Sequence, residues 1–186
     1  MAKKLFKTMA SVLVFAVSVF ATSGTSQASV METLVVPFTT PSTPTANGYY
    51  DWVRITVSGT GFSLGSALND AFYVLPGGPA HDASYYQLNF GIVPLVPFNP
   101  ARNADNFIIG GLPAYNASHI YSFYLNTGVM SPTTLYFGVS DGAFGDNGGA
   151  YNIDIEQVPE PSTLVLMGMA LLSLFGFGMM RRRVDV

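Results

Sequence analysis

An uncharged apolar run extends from Leu164 to Met180 and is followed at once by Arg181, Arg182 and Arg183. At 1.5 Å per helical residue it would span about 26 Å, close to the hydrocarbon thickness of a thin bilayer. Basic residues beside a span hold that end in the cytoplasm. We therefore predict a transmembrane helix over residues 164–180, with the arginines inside and the residues before Val158 outside. A buried core helix that ends in three arginines is the alternative.

Two prolines flank Glu160 just before this run, and they impose extended backbone on the segment. Pro159, Glu160 and Pro161, the apolar helix and the arginine cluster together resemble the PEP-CTERM sorting signal of Gram-negative envelope proteins. The resemblance covers residues 158–186 only. It implies handling by an exosortase, a membrane-embedded enzyme with a cysteine nucleophile, for which the tripeptide and the arginines would be recognition residues. A plain juxtamembrane linker is the alternative.

The N-terminus has the three parts of a secretory signal peptide. Lys3, Lys4 and Lys7 form a positive region, residues 9–21 are apolar, and Ala28 follows small residues at a position that signal peptidase reads. We predict a signal peptide over residues 1–28 that is cleaved after Ala28, with Ala21 as the second choice. An uncleaved first helix is the competing interpretation.

The remaining residues, 29–157, are predicted to form one ectodomain with a strongly acidic balance. They contain two basic side chains, Arg54 and Arg102, against nine acidic ones, which gives a net charge of about −7. Nucleic-acid binding needs a basic surface and is excluded, whereas cation binding stays open. The chain has no cysteine, so disulfides, thiolate metal sites and cysteine catalysis are excluded as well.

Hydrophobic residues in this ectodomain recur with a period of two, which indicates β-strands. Eight strands are predicted, separated by Gly, Pro, Asn and Ser clusters, and residues 37–45 are predicted to be an irregular loop. With no amphipathic helix between them, the strands indicate an all-β fold, an antiparallel β-sandwich of jelly-roll type. The eight segments are residues 32–36, 50–57, 71–75, 85–90, 106–109, 119–125, 135–139 and 151–155.

A glycine-rich segment from Val139 to Tyr151 contains Asp141, Asp146 and Asn147 between two predicted strands. Carboxylate and amide oxygens on such a loop can surround a hard cation, so these three residues are candidate Ca²⁺ ligands. Their spacing does not fit an EF-hand. A polar hairpin loop without metal is the alternative, because Asp-Gly and Asn-Gly are also turn signals.

Three stretches of the ectodomain resemble small galactophilic bacterial lectins, which are calcium-dependent β-sandwiches: residues 54–59, 69–72 and 135–155. The resemblance implies Ca²⁺ bound by Asp141, Asp146 and Asn147, with a backbone carbonyl near Phe62 or Ser63. The loop after Asp141 is two residues shorter than in that family. The family's sugar-binding loop has no counterpart before Asn69, so galactose specificity does not carry over.

Catalysis has little support, because His81 and His119 are the only histidines and neither lies in a metal or nucleophile motif. His119 is expected to be packed and His81 solvated, while Trp52 and the tyrosines are expected mainly in the core. We expect a non-enzymatic protein that passes through the inner membrane to the cell surface or extracellular matrix. The alternative is a calcium-dependent carbohydrate-binding module whose partner is an extracellular polysaccharide.

Overall fold

The computed structural model describes residues 31–63 and 65–158. The predicted signal peptide and transmembrane helix lie outside them. Within the described part, no helix is long and apolar enough to cross a membrane. Ten strands follow one another, with two short 3-10 turns, Pro100–Arg102 and Ala104–Phe107, between the sixth and the seventh. The strands are β1 Met31–Pro37, β2 Thr43–Tyr49, β3 Trp52–Ser58, β4 Gly61–Ser63, β5 Ala67–Asn69, β6 Leu88–Gly91, β7 Ile108–Ile109, β8 Ile120–Asn126, β9 Thr133–Val139 and β10 Gly148–Gln157.

All strand pairs are antiparallel, which confirms the predicted all-β antiparallel fold. A seven-stranded sheet is built around β10, which pairs with β1 along one edge and with β3 and then β4 along the other. The chain passes from β3 to β4 through Gly59, whose φ of 108° suits glycine. A Cβ there would also come 2.5 Å from the carbonyl oxygen of Ala150, so the close approach of the two strands needs this glycine.

The second sheet has three strands in the order β2-β9-β6. Both sheets contribute to one buried core, because alternate residues of each strand point toward the space between the sheets. The buried residues include Val53, Ile55 and Val57 of β3 and Leu135 and Phe137 of β9. The predicted jelly roll has eight strands in two sheets. The described residues instead form ten strands, divided seven and three, so the jelly-roll order gains no support.

Two local predictions were wrong, and a third was half right. Residues 37–45 were expected to be an irregular loop, but β2 begins within them, at Thr43. Residues 71–75 were expected to be a strand, yet only Val74 makes isolated bridges there. Asn106 and Phe107 belong to a 3-10 turn, which leaves β7 with two residues.

A carboxylate links the two sheets at one edge. Glu32 of β1 accepts hydrogen bonds from the backbone N–H of Ala46 at 2.7 Å and of Asn47 at 3.0 Å, and from the Tyr49 hydroxyl at 3.2 Å. Burial acts to raise the pKa of Glu32, but these hydrogen bonds outweigh it and hold the pKa below its usual value. The ionised side chain therefore supports the irregular middle of β2, where the register shifts between Pro44 and Gly48.

Candidate functional site

The loop between β9 and β10 brings two of the three predicted Ca²⁺ ligands into contact. Asp141 Oδ1 accepts hydrogen bonds from the backbone N–H groups of Gly142 and Ala143, and Asp141 Oδ2 accepts one from Asn147 Nδ2 at 2.9 Å. The same nitrogen of Asn147 donates to the carbonyl oxygen of Phe38 at 3.1 Å. Asp141 and Asn147 are both nearly buried. The neighbouring backbone carbonyl thus belongs to Phe38, where Phe62 or Ser63 had been expected.

Asp146 lies on the same loop but is exposed and takes no part in this contact. Within residues 31–158, no three histidine, aspartate or glutamate side chains lie close enough to share a metal ion. Binding of Ca²⁺ by Asp141, Asp146 and Asn147 therefore stays a prediction.

The contact between Asp141 and Asn147 could accept a cation if the Asn147 amide turned over. Asn147 Oδ1 is buried and has no hydrogen-bond partner among the described residues. Turning the amide by 180° would put this oxygen beside the Asp141 carboxylate and the Phe38 carbonyl. Three oxygens would then face one point, which is an arrangement that suits a hard cation such as Ca²⁺.

A second polar centre, which the sequence analysis missed, surrounds Asp70. Its side chain is fully buried after β5. Oδ1 accepts hydrogen bonds from the backbone N–H of Phe72 at 2.9 Å and of Tyr73 at 2.8 Å. Oδ2 accepts the Tyr121 hydroxyl at 2.7 Å and lies 2.9 Å from His119 Nδ1. Burial, and then the hydrogen bond to Asp70, raise the pKa of Tyr121 well above its usual value.

In the described part of the chain, His81 lies beside the Phe72 carbonyl and the Gln87 amide, and His119 lies beside the Asp70 carboxylate. Neither histidine contacts a serine or threonine hydroxyl there. His119 is packed against Asp70, as expected. His81 is exposed as a whole residue, but its side chain is only 26% exposed and makes contacts that a solvated loop histidine would lack. Its Nδ1 lies 3.0 Å from the carbonyl oxygen of Phe72, and its Nε2 lies 3.3 Å from Asp105 Oδ2.

The outer face of the large sheet carries exposed aromatic rings. Trp52 is 45% exposed and Tyr124 is 48% exposed, so the expectation that Trp52 lies in the core was wrong. Tyr124 of β8 lies opposite Arg54 of β3, and Trp52 is its diagonal neighbour on the same face. Arg54 Nη1 reaches Glu156 Oε2 of β10 at 3.6 Å. Trp52 and Arg54 point outward because they alternate along β3 with the buried Val53 and Ile55.

Comparison with known proteins identifies the tail. Residues 157–183 match the family described as the PEP-CTERM protein-sorting motif. The chain carries a PEP-CTERM sorting motif. The match includes Pro159, Glu160, Pro161 and all three arginines, which confirms the resemblance drawn from the sequence. The PEP-CTERM motif implies an exported protein of a Gram-negative bacterium, which passes through the membrane and is processed by an exosortase.

No curated protein and no solved structure matches the chain significantly. The resemblance of the ectodomain to galactophilic lectins therefore gains no support from these comparisons. The PEP-CTERM motif covers the tail alone and describes how the protein is sorted, so the role of residues 29–157 has to be argued from their own chemistry.

Proposed function

We propose that this PEP-CTERM protein is a non-enzymatic component of the cell surface or extracellular matrix, delivered there through the inner membrane by its tail. The observation that carries the proposal is the sorting motif at residues 157–183. Signal peptidase would remove residues 1–28 and an exosortase would process the tail. The ectodomain of residues 29–157, whose described residues fold as a β-sandwich, would remain outside the cell.

The chemistry of the ectodomain supports a structural rather than a catalytic role. The Asp70 carboxylate is occupied by two backbone N–H groups, a tyrosine hydroxyl and His119, so it orders the turn after β5. A serine hydrolase requires a histidine paired with a hydroxyl nucleophile. Neither histidine has such a partner within the described residues. A cysteine-free acidic domain suits a protein that stays soluble in an extracellular matrix.

Sorting is tested by a substitution in the motif. Glu160→Ala should block processing of the tail without unfolding the ectodomain, because Glu160 follows the last strand, β10, which ends at Gln157. In an exosortase-containing host, intact-mass measurement should give a mutant protein heavier than the wild type by the retained tail. Asp185→Ala is the matched control, since it removes an acid of the tail outside the matched residues and should leave processing unchanged. Equal masses for wild type and Glu160→Ala would make the tripeptide a plain linker.

The alternative function is carbohydrate binding, and the exposed face of β3 and β8 favours it. Trp52 and Tyr124 offer flat apolar rings, while Arg54 and Glu156 beside them offer charged hydrogen-bonding groups. Such a surface suits the alternating apolar faces and hydroxyl edges of a polysaccharide. The predicted Ca²⁺ site would then be a separate, stabilising element, because Asp141 follows β9, which belongs to the small sheet.

This alternative predicts that Trp52→Ala weakens glycan binding at least about tenfold, which corresponds to about 1.4 kcal/mol of lost stacking. The full-length chain in detergent would be screened on a glycan array, and any glycan that binds would be titrated against wild type and variant. Met130→Ala is the control, because Met130 is a fully exposed apolar residue in the β8–β9 turn. Binding unaffected by Trp52→Ala would exclude this face, and no bound glycan would leave the structural role.

A further inference from the structure

Four side-chain oxygens beside β6 are buried and accept no hydrogen bond from any described residue: Gln87 Oε1, Asn89 Oδ1, Asn103 Oδ1 and Asp105 Oδ1. Gln87, Asn89 and Asn103 are almost completely buried. Buried polar atoms in folded proteins nearly always have a partner, and each exception calls for an explanation. Four acceptors without a donor in one region point to a bound species that supplies positive charge.

Two contacts bring the four side chains together in pairs. Asn89 and Asn103 oppose each other in an isolated antiparallel bridge. Gln87 precedes β6, and Asp105 lies in the 3-10 turn that follows Asn103. The His81 ring joins these two, because its Nδ1 lies 3.2 Å from Gln87 Nε2 and its Nε2 lies 3.3 Å from Asp105 Oδ2. The oxygens therefore belong to two pairs of neighbouring side chains, which are two residues apart along each segment.

Existing contacts set the direction of two of these oxygens. Asn103 Nδ2 donates to the carbonyl oxygen of Ala83 at 2.9 Å, which turns Oδ1 the other way. Asp105 uses Oδ2 toward His81 and leaves Oδ1 free. Gln87 is held less firmly, because its Nε2 and the Phe72 carbonyl oxygen lie at similar distances from the same ring nitrogen. Asn103 and Asp105 are thus the firmest of the four.

We propose that Gln87, Asn89, Asn103 and Asp105 form a binding site for a hard divalent cation of the Ca²⁺ type. Ca²⁺ takes six to eight oxygens and accepts amide carbonyls as well as carboxylates. One carboxylate among three amides gives a low charge count, so affinity falls in the range of extracellular modules, a Kd of about 0.1 to 1 mM. This amide cluster is separate from the Asp141 loop and uses none of its residues.

Calorimetric titration of the full-length chain in detergent with Ca²⁺ tests the site. Asp105→Asn should weaken Ca²⁺ binding at this site at least about tenfold, since it removes the only carboxylate. Asp51→Asn is the charge-matched control: Asp51 lies in the exposed turn between β2 and β3 and should bind like wild type. Titrating Asp141→Asn in parallel separates the two sites, because the amide cluster should keep its binding in that variant. Equal binding by wild type and Asp105→Asn would overturn the proposal.

Asn89→Asp provides the second test and works in the opposite direction. None of the hydrogen bonds within residues 31–158 uses the Asn89 side chain, so the substitution keeps an oxygen in place, breaks no bond and adds a charge. At a cation site, the variant should bind Ca²⁺ several-fold more tightly than wild type, and Ca²⁺ should restore the melting temperature that the unpaired carboxylate lowers. At a site that holds only water, the variant would be destabilised equally with Ca²⁺ and with chelator, and the proposal would be wrong.

Discussion

Asp70→Ala should lower the free energy of unfolding by about 3 to 5 kcal/mol, the effect expected when one member of a buried charged network is removed. The carboxylate lies in the core and accepts hydrogen bonds from two backbone N–H groups and from the Tyr121 hydroxyl. Alanine would leave these donors buried without a partner, and each such group costs about 1 to 3 kcal/mol. It would also release His119 from its contact with Oδ2.

Urea unfolding followed by fluorescence measures this effect, because Trp52 is the only tryptophan and lies in β3. A domain of ordinary stability, about 5 to 15 kcal/mol, could lose most of its folded population in Asp70→Ala. Two milder variants keep the measurement possible. Asp70→Asn retains one acceptor oxygen for the turn, and Tyr121→Phe removes a single hydroxyl, so both should fall between Asp70→Ala and wild type. A loss below about 1 kcal/mol in Asp70→Ala would contradict the assigned role.

The strands with a clear period of two could be predicted from the sequence. Residues 50–57, 119–125 and 151–155 were each expected to be strands and lie largely within β3, β8 and β10. In all three, alternate residues are buried, because one face of the sheet meets the core. Local sequence suffices there, since the pattern that forms the strand is also the pattern that packs it.

Where the prediction failed, a carboxylate that accepts backbone N–H groups decides the conformation. The β2 sequence contains Pro44, Asn47 and Gly48, which disfavour a strand, and it is held by pairing with β9 and by Glu32. Residues 71–75 look like a strand because they are apolar. The backbone N–H groups of Phe72 and Tyr73, however, donate to the Asp70 carboxylate and are not free to pair with another strand. Neither contact can be read from local periodicity.

The candidate site in the β9–β10 loop likewise combines one contact that the sequence predicted with one that only the fold creates. Asp141 and Asn147 are six residues apart, and a glycine-rich loop predicted their proximity. Phe38 is 109 residues from Asn147 in sequence, and only the fold brings its carbonyl oxygen to the amide. The amide cluster of Asn89 and Asn103 was missed for a related reason. Amide side chains carry no charge signal, and the antiparallel bridge that joins them is a tertiary contact.

Calcium should raise the melting temperature of the full-length chain, and a chelator should lower it. An ion that binds only the folded state stabilises it by about 2.7 kcal/mol at a hundredfold excess over its dissociation constant. In the loop, Asp141, Asn147 and the Phe38 carbonyl would provide oxygens once the amide turns. Asp141→Asn should remove the part of the calcium dependence that comes from this loop. Asp146→Asn reports whether the exposed Asp146 joins the site when the ion is present.

The strand directions explain why Asp51→Asn is a suitable control for Asp141→Asn. β9 runs from Thr133, opposite Tyr49, to Val139, so Asp51 and Asp141 lie at opposite ends of the small sheet. Asp51→Asn changes the net charge equally and should leave the calcium dependence intact. Dependence that survives in Asp141→Asn and disappears in Asp105→Asn belongs to the amide cluster. If millimolar Ca²⁺ leaves the wild-type melt unmoved, both cation sites are wrong and carbohydrate binding cannot depend on calcium. The Trp52 face would then be tested by glycan binding alone, and the structural role would stand without a metal.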